Sequence, residues 1–166
     1  MTDSIFDRFL SDLDEIISTE VTLKASKVRK VLDESNDEHW VIAETYYEEI
    51  RSDLADVQKI CTNIDESERV VTRVKDHLFF NEHIIITDNI EEKRRLDSDP
   101  EIVNAWSRLT EGDFTPTDLS FFKHEQVESI LEKRKKLDYR SAHLETLNLG
   151  YRWNPEEAYD GDPGNS

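Results

Sequence analysis

Only four glycines and four prolines punctuate the 166 residues, and Pro155 and Pro163 lie near the end, so little in the chain interrupts long hydrogen-bonded segments. Within those segments apolar residues recur every three or four positions, the spacing of one helical face. The pattern predicts an all-α protein, an irregular helical bundle with at most a short strand near residues 79–87, where Phe79 to Thr87 mixes aromatic and β-branched side chains. A chain of this length supports one ordinary domain, or one domain with a helical extension.

The apolar spacing predicts a helix from Asp3 to Ile17 and another after Thr22 that carries Leu23, Val28, Val31 and Leu32 and stops near Asn36. The longest helix is expected over residues 37–62, with Trp40, Ala43, Tyr47, Ile50, Leu54, Val57 and Cys61 on one stripe and an acidic outer face. A fourth starts near Asp65 to Ser67 and presents Val70, Val74 and His77 at successive turns. Asp88 to Asp99 is so charged that it reads as a loop. Asp99-Pro100-Glu101 combines a capping aspartate, a first-turn proline and an acid at the positive end of the helix dipole, and Gly112 ends that helix. Thr115-Pro116 starts a long helix running to about Leu137, and a short one covers Tyr139 to Leu149. The chain thus divides into an N-terminal helical region (1–65), a C-terminal helical module (66–155) and an acidic tail expected to be disordered (156–166).

Acidic residues outnumber basic ones 38 to 21, a formal net charge of −17. Such a charge opposes nonspecific coating of nucleic acid and attraction to anionic membranes. It fits a surface adapted to high salt, an acidic face for a basic protein partner, or a mimic of a phosphate backbone. Cys61 is the single cysteine, which excludes an intrachain disulfide and a thiolate metal cluster and makes a cytoplasmic setting the default. The N-terminus has neither the basic start nor the apolar run of a signal peptide, and no membrane-spanning stretch occurs. Export inside a larger fused chain is compatible with both.

Three histidines fall on or beside the apolar stripes of separate helices: His77, His124 and His143. An inward imidazole needs partners for both ring nitrogens, so convergence of the three with Glu125 and Glu128 would make a metal or acid/base site. Glu128 is one turn after His124, and both reach one ion from the same helix. Phe121 lies on the flank of Glu125 and Glu128, which predicts that this flank is covered; the main apolar stripe is assigned to Leu119, Phe122, Val127, Ile130 and Leu131. Two chemical schemes follow. In one, His124, Glu128 and either His143 or His77 hold a divalent ion and Glu125 is the general base. In the other no metal is needed, and one histidine removes a proton while another donates one. Lys123, Arg140 or Lys75 would steady a phosphate locally. A zinc-protease signature is absent, because position 128 is glutamate where that motif needs histidine. The competing bland reading leaves each histidine bonded separately at the core edge and the glutamates in water.

The stretch Arg73 to His83, with its Lys75-Asp76-His77-Leu78-Phe79-Phe80, then Asp99-Pro100-Glu101 through Ala105-Trp106 and Leu109, Gly112-Asp113-Phe114, Lys123-His124-Glu125 with Glu128, Tyr139 to His143 and Trp153-Asn154-Pro155, resembles the C-terminal effector modules of bacterial polymorphic toxins. The resemblance covers about residues 70–155. It implies a nuclease or other hydrolase delivered to a target cell, with a nucleic acid as substrate and a cognate immunity protein as partner. His77, His124, Glu125, Glu128, Tyr139, Arg140 and His143 fall on the recurrent polar positions, with His83 a weaker match. The leading expectation is a toxin-like hydrolase cleaving phosphodiesters. Its competitor is a non-enzymatic acidic helical binder, immunity- or antitoxin-like, that neutralises a basic partner. An enzyme gathers the histidines around one pocket, whereas a binder scatters them.

Overall fold

The computed structural model describes residues 28–159. The helix expected over Asp3 to Ile17, the first part of the next one and the end of the acidic tail lie outside the described residues. The described chain runs α1 (Asp37–Ser52), α2 (Asp56–Ile64), α3 (Glu68–Lys75), a π-helical turn (Asp76–Phe80), β1 (His83–Thr87), β2 (Ile90–Arg94), α4 (Pro100–Glu111), α5 (Pro116–Lys135), α6 (Tyr139–Asn148) and a 3₁₀ turn (Pro155–Ala158). It is mostly helical, with one two-stranded antiparallel sheet. Among the described residues, no helix is long and apolar enough to cross a membrane.

One apolar core extends from Leu32 to Phe122 along the sequence, with Tyr47 and Trp106 edge-on against Phe79 at its centre. The helix starts are those that local chemistry dictates. Asp99 accepts from the Glu101 and Ile102 amides, and Thr115 and Asp118 form a reciprocal capping box at the head of α5. Gly112 closes α4 in the left-handed region at φ 83°.

Four expectations need correction. The helix expected through Val31 and Leu32 is absent over residues 28–36, because the Asn104 amide claims the backbone there: its Oδ1 accepts from Val31 N and Leu32 N and its Nδ2 donates to Leu32 O, each at 2.8 Å. The single helix expected over 37–62 is broken at Asp53–Ala55. Asp53 is extended, its carbonyl is taken by the Lys75 ammonium at 2.7 Å, and its carboxylate receives the Ala55 amide, leaving Leu54 in solvent. The charged loop after Thr87 contains β2, which pairs with β1 across Asp88 and Asn89, both at positive φ, the geometry of a two-residue hairpin turn. The start of the acidic tail is folded: Pro155–Ala158 form a turn, Ala158 is buried, and the Tyr159 hydroxyl meets Arg108 and Glu101 at 3.0 Å.

Buried polar residues tie these elements together. Arg108 grips Asp118 through two hydrogen bonds of 2.7 and 2.8 Å and also donates to the Arg29 carbonyl, so one guanidinium holds α4, α5, the N-terminal segment and the final turn. Lys75 bonds Asp56, whose other oxygen receives the Trp106 indole N–H. Removing one member of such a pair strands a buried charge, so Arg108→Ala is expected to cost about 3–5 kcal/mol in urea unfolding. A change below about 1 kcal/mol would show that the pair adds nothing.

Burial and a hydrogen bond to Glu34 raise the Glu101 carboxyl to about 7, and the same contact lowers Glu34 to about 2. The folded chain therefore keeps on Glu101 a proton that the unfolded chain releases near 4.5. Stability from this proton is complete below pH 4.5 and is lost as pH rises through 7; the Glu34 contribution has the opposite sign, between pH 2 and 4.5. Glu101→Gln keeps a neutral hydrogen-bonding group and escapes the loss. Its stability relative to the parent should rise by about 1–2 kcal/mol between pH 5 and pH 8, read from denaturation midpoints.

Candidate functional site

α5 turns its polar stripe inward. Phe121, His124, Glu125 and Glu128 are all buried; of the expected apolar stripe Phe122 is buried in the core as expected, whereas Leu119 is exposed and Val127, Ile130 and Leu131 are only half-buried. The stripe assigned to the core from apolar spacing is thus the lesser of two buried faces. The polar one is covered because α6 and the π-helical turn bring partners to it, and Phe121 seals the flank against Trp153 with ring centroids 4.7 Å apart. The covered flank expected from Phe121 is present.

Glu128 is fully buried at the centre. Its Oε2 lies 3.1 Å from His124 Nε2 on the same helix and 2.9 Å from His143 Nδ1 on α6, and those two nitrogens are 3.1 Å apart. Its Oε1 lies 3.4 Å from His77 Nε2, which is also 3.6 Å from Glu125 Oε2. The three inward histidines therefore meet around the two carboxylates. His77 reaches the site from a widened turn, in which Asn81 N bonds Asp76 O five residues back. The His77 carbonyl accepts from His83 Nε2 at 2.8 Å.

Hydrogen bonds fix what each ring offers. His124 Nδ1 donates to the Tyr151 carbonyl at 2.7 Å, so a neutral His124 presents the lone pair of Nε2 to Glu128 and His143. Three acceptor-capable atoms stand 2.9–3.1 Å apart there with few protons to share among them. Ligand atoms about 2.1 Å from a tetrahedral ion are about 3.4 Å from one another, so this near-equilateral triangle is a slightly compressed face of such a tetrahedron. Buried His/Glu groups of this kind could hold a metal ion, and three such groups occur among the described residues: His124, Glu128 and His143; His77, Glu125 and Glu128; His77, His83 and Glu132.

The electrostatics follow from burial and neighbours. Desolvation alone would raise the Glu128 carboxyl, but bonds from His124 in its protonated form, from His143 and from His77 outweigh it and hold the group well below the usual carboxylate range. Glu125, desolvated and facing the charges of Glu128 and Asp99, is driven well above that range. His143 is raised by its bond to Glu128 against the effect of burial. Burial opposes a charge on His83, yet Glu132, with both oxygens 2.9 Å from Nδ1, raises it.

Of the residues expected at the site, His77, His124, Glu125, Glu128 and His143 come together. Tyr139 forms a wall instead of a polar contact: its ring lies against His143, His77 and His83 at 5.5–6.5 Å between centroids, and burial followed by the charges of Glu128 and Glu125 raises its hydroxyl. Arg140 is exposed, one turn before His143, outside the hydrogen-bonded cluster. Lys75 is committed to Asp56 and does not serve a phosphate. Glu132, not singled out from sequence, backs the cluster; its signal was its place one turn beyond Glu128 on the same stripe. The Tyr151 carbonyl carried no side-chain signal at all.

Metal binding to the folded chain must raise its stability. With Zn²⁺ or Mn²⁺ at about 100 times Kd, the chelator-stripped protein should gain about 2.7 kcal/mol, several degrees in Tm. His124→Ala and His143→Ala should each abolish most of the gain, while a shift unchanged in both variants would place binding elsewhere. Compared with protein-family models, curated proteins and solved structures, the chain matches none; its function is therefore read from the site.

Proposed function

We propose that this chain is a metal-dependent hydrolase directed at phosphodiester bonds, a toxin-like nuclease acting on RNA or DNA. The observation that carries this reading is the triangle of His124 Nε2, His143 Nδ1 and Glu128 Oε2, with the His124 lone pair pre-set by the Tyr151 carbonyl. Three protein ligands leave a fourth position free, the arrangement of catalytic as opposed to closed structural sites. A divalent ion held there by His124, His143 and Glu128 would lower the pKa of a bound water and polarise a phosphoryl oxygen. Glu125, in the same cluster but outside the triangle, offers the carboxylate that accepts the proton that leaves.

Access is from the His143 side. Its side chain is 41% exposed, while those of His77, His124, Glu125 and Glu128 are at most 6% exposed. Exposed Arg140 precedes His143 by one helical turn, and exposed Arg152 follows the Tyr151 that orients His124. Arg140, on the same helix as the one open member of the cluster, and Arg152 are exposed cations available to a phosphate approaching a protein otherwise strongly acidic. The resemblance of residues 70–155 to toxin effector modules supports the choice of phosphodiesters. The gathering of the histidines favours an enzyme over an acidic binder for a basic protein or immunity partner, which has no use for such a cluster.

Purified protein should cleave single-stranded RNA or DNA with Mn²⁺ or Zn²⁺ present and lose the activity in chelator. His124→Ala and His143→Ala should each lower the rate at least about 100-fold, the scale expected when a metal ligand or its support is removed. Equal cleavage by both variants and the parent would sink the assignment.

A further inference from the structure

The site contains more donor atoms than one ion can use. Beyond the His124–His143–Glu128 triangle, His77 Nε2 stands 3.4 Å from Glu128 Oε1 and 3.6 Å from Glu125 Oε2, and one donor atom from each of the three residues lies within 4.8 Å of the others. All three side chains are at least nine-tenths buried, and Glu125 Oε2 has no hydrogen-bond partner among the described residues. A buried carboxylate oxygen left without a donor is costly unless a cation completes it. Among the described residues, no lysine or arginine forms an ion pair with Glu125 or Glu128; the ion-pair partners of both are histidines.

We infer that the cluster is a two-metal centre in which the Glu128 carboxylate bridges two divalent cations, Oε2 toward the ion held by His124 and His143, Oε1 toward a second ion held by His77 Nε2 and Glu125. The inference rests on the hydrolase reading above and deepens it. A single carboxylate with one oxygen toward each ion suits the separation of about 3.5–4 Å at which paired ions clamp the attacking and leaving oxygens of a phosphodiester. His77 Nδ1 lies 3.7 Å from Glu132 Oε2, beyond hydrogen-bond reach, so Glu132 backs the ring as a nearby charge and not through a bond. The third His/Glu group is that backing and not another ion site: His83 spends Nε2 on the His77 carbonyl and Nδ1 on both Glu132 oxygens, so neither nitrogen is left over.

The test counts and couples the ions. Chelator-stripped full-length protein is equilibrated with Mn²⁺ and passed through a desalting column. Bound metal is measured by mass spectrometry, with the paramagnetic resonance spectrum recorded on the same sample. The parent should hold two Mn²⁺ per chain with a spectrum broadened by coupling between them. Glu125→Gln, close in shape, and independently His77→Gln should each hold one and show an isolated-ion spectrum, with circular dichroism confirming the fold of each. One ion in the parent, unchanged in both variants, would overturn the second position and leave the first intact. Two ions without coupling would overturn the Glu128 bridge. No bound ion in the parent would overturn both this inference and the hydrolase reading beneath it.

Discussion

A single buried carboxylate organises the C-terminal half of the molecule. Glu128 has no contact with water, and the imidazoles that satisfy it arrive from its own helix, from α6 and from the π-helical turn. Desolvating a carboxylate costs several kcal/mol unless close partners compensate. Here those partners lie on separate elements, so satisfying Glu128 means docking α6 and the turn against α5. The electrostatic demand of one side chain and the tertiary arrangement of three segments are one constraint.

The rest of the core is arranged so that these segments stay put. Arg108, nearly as buried as Glu128, fastens the first turn of α5 through Asp118 and binds the N-terminal segment and the final turn at the same time. Lys75 sits immediately before the π-helical turn that carries His77, and its ammonium is anchored to Asp56 and to the Asp53 carbonyl. The widened turn therefore starts from a fixed point. Its one-residue excess lets Leu78 and Phe79 enter the apolar core while His77 faces the polar cluster.

What could be read from sequence followed from how local the cause was. Asp99-Pro100, Thr115-Pro116 and Gly112 act on their own turns, and those helix ends lie where the residues place them. The convergence of His77, His124 and His143 was expected only conditionally, because periodicity gives a face but not what the face meets. Two of the failures have remote causes. Asn104 unwinds residues 31–32 from 72 or 73 positions away, and Lys75 holds open the break at Asp53 from 22 away. The hairpin was concealed by β2, whose exposed, charged residues look like a loop until Asp88 and Asn89 are recognised as turn formers. On α5, hydrophobicity favoured the stripe through Leu119 and Ile130, yet the polar stripe lies deeper.

That inversion on α5 is a physical argument for the metal centre proposed above. A helix between apolar neighbours gains most by burying its leucines and isoleucines. This one leaves Leu119 at 41% exposure and, beside Phe121 and Phe122, buries two glutamates and a histidine. Pairing with histidines accounts for Glu128, and the pairing of His83 with Glu132 accounts for a third carboxylate at the edge. Neither accounts for Glu125, whose buried Oε2 has no hydrogen-bond partner among the described residues. Had stability alone shaped the stripe, an apolar residue at position 125 would remove that cost and leave the three contacts to Glu128 untouched. A carboxylate there makes sense as a donor for a cation, whose charge supplies the compensation that the protein's own side chains do not.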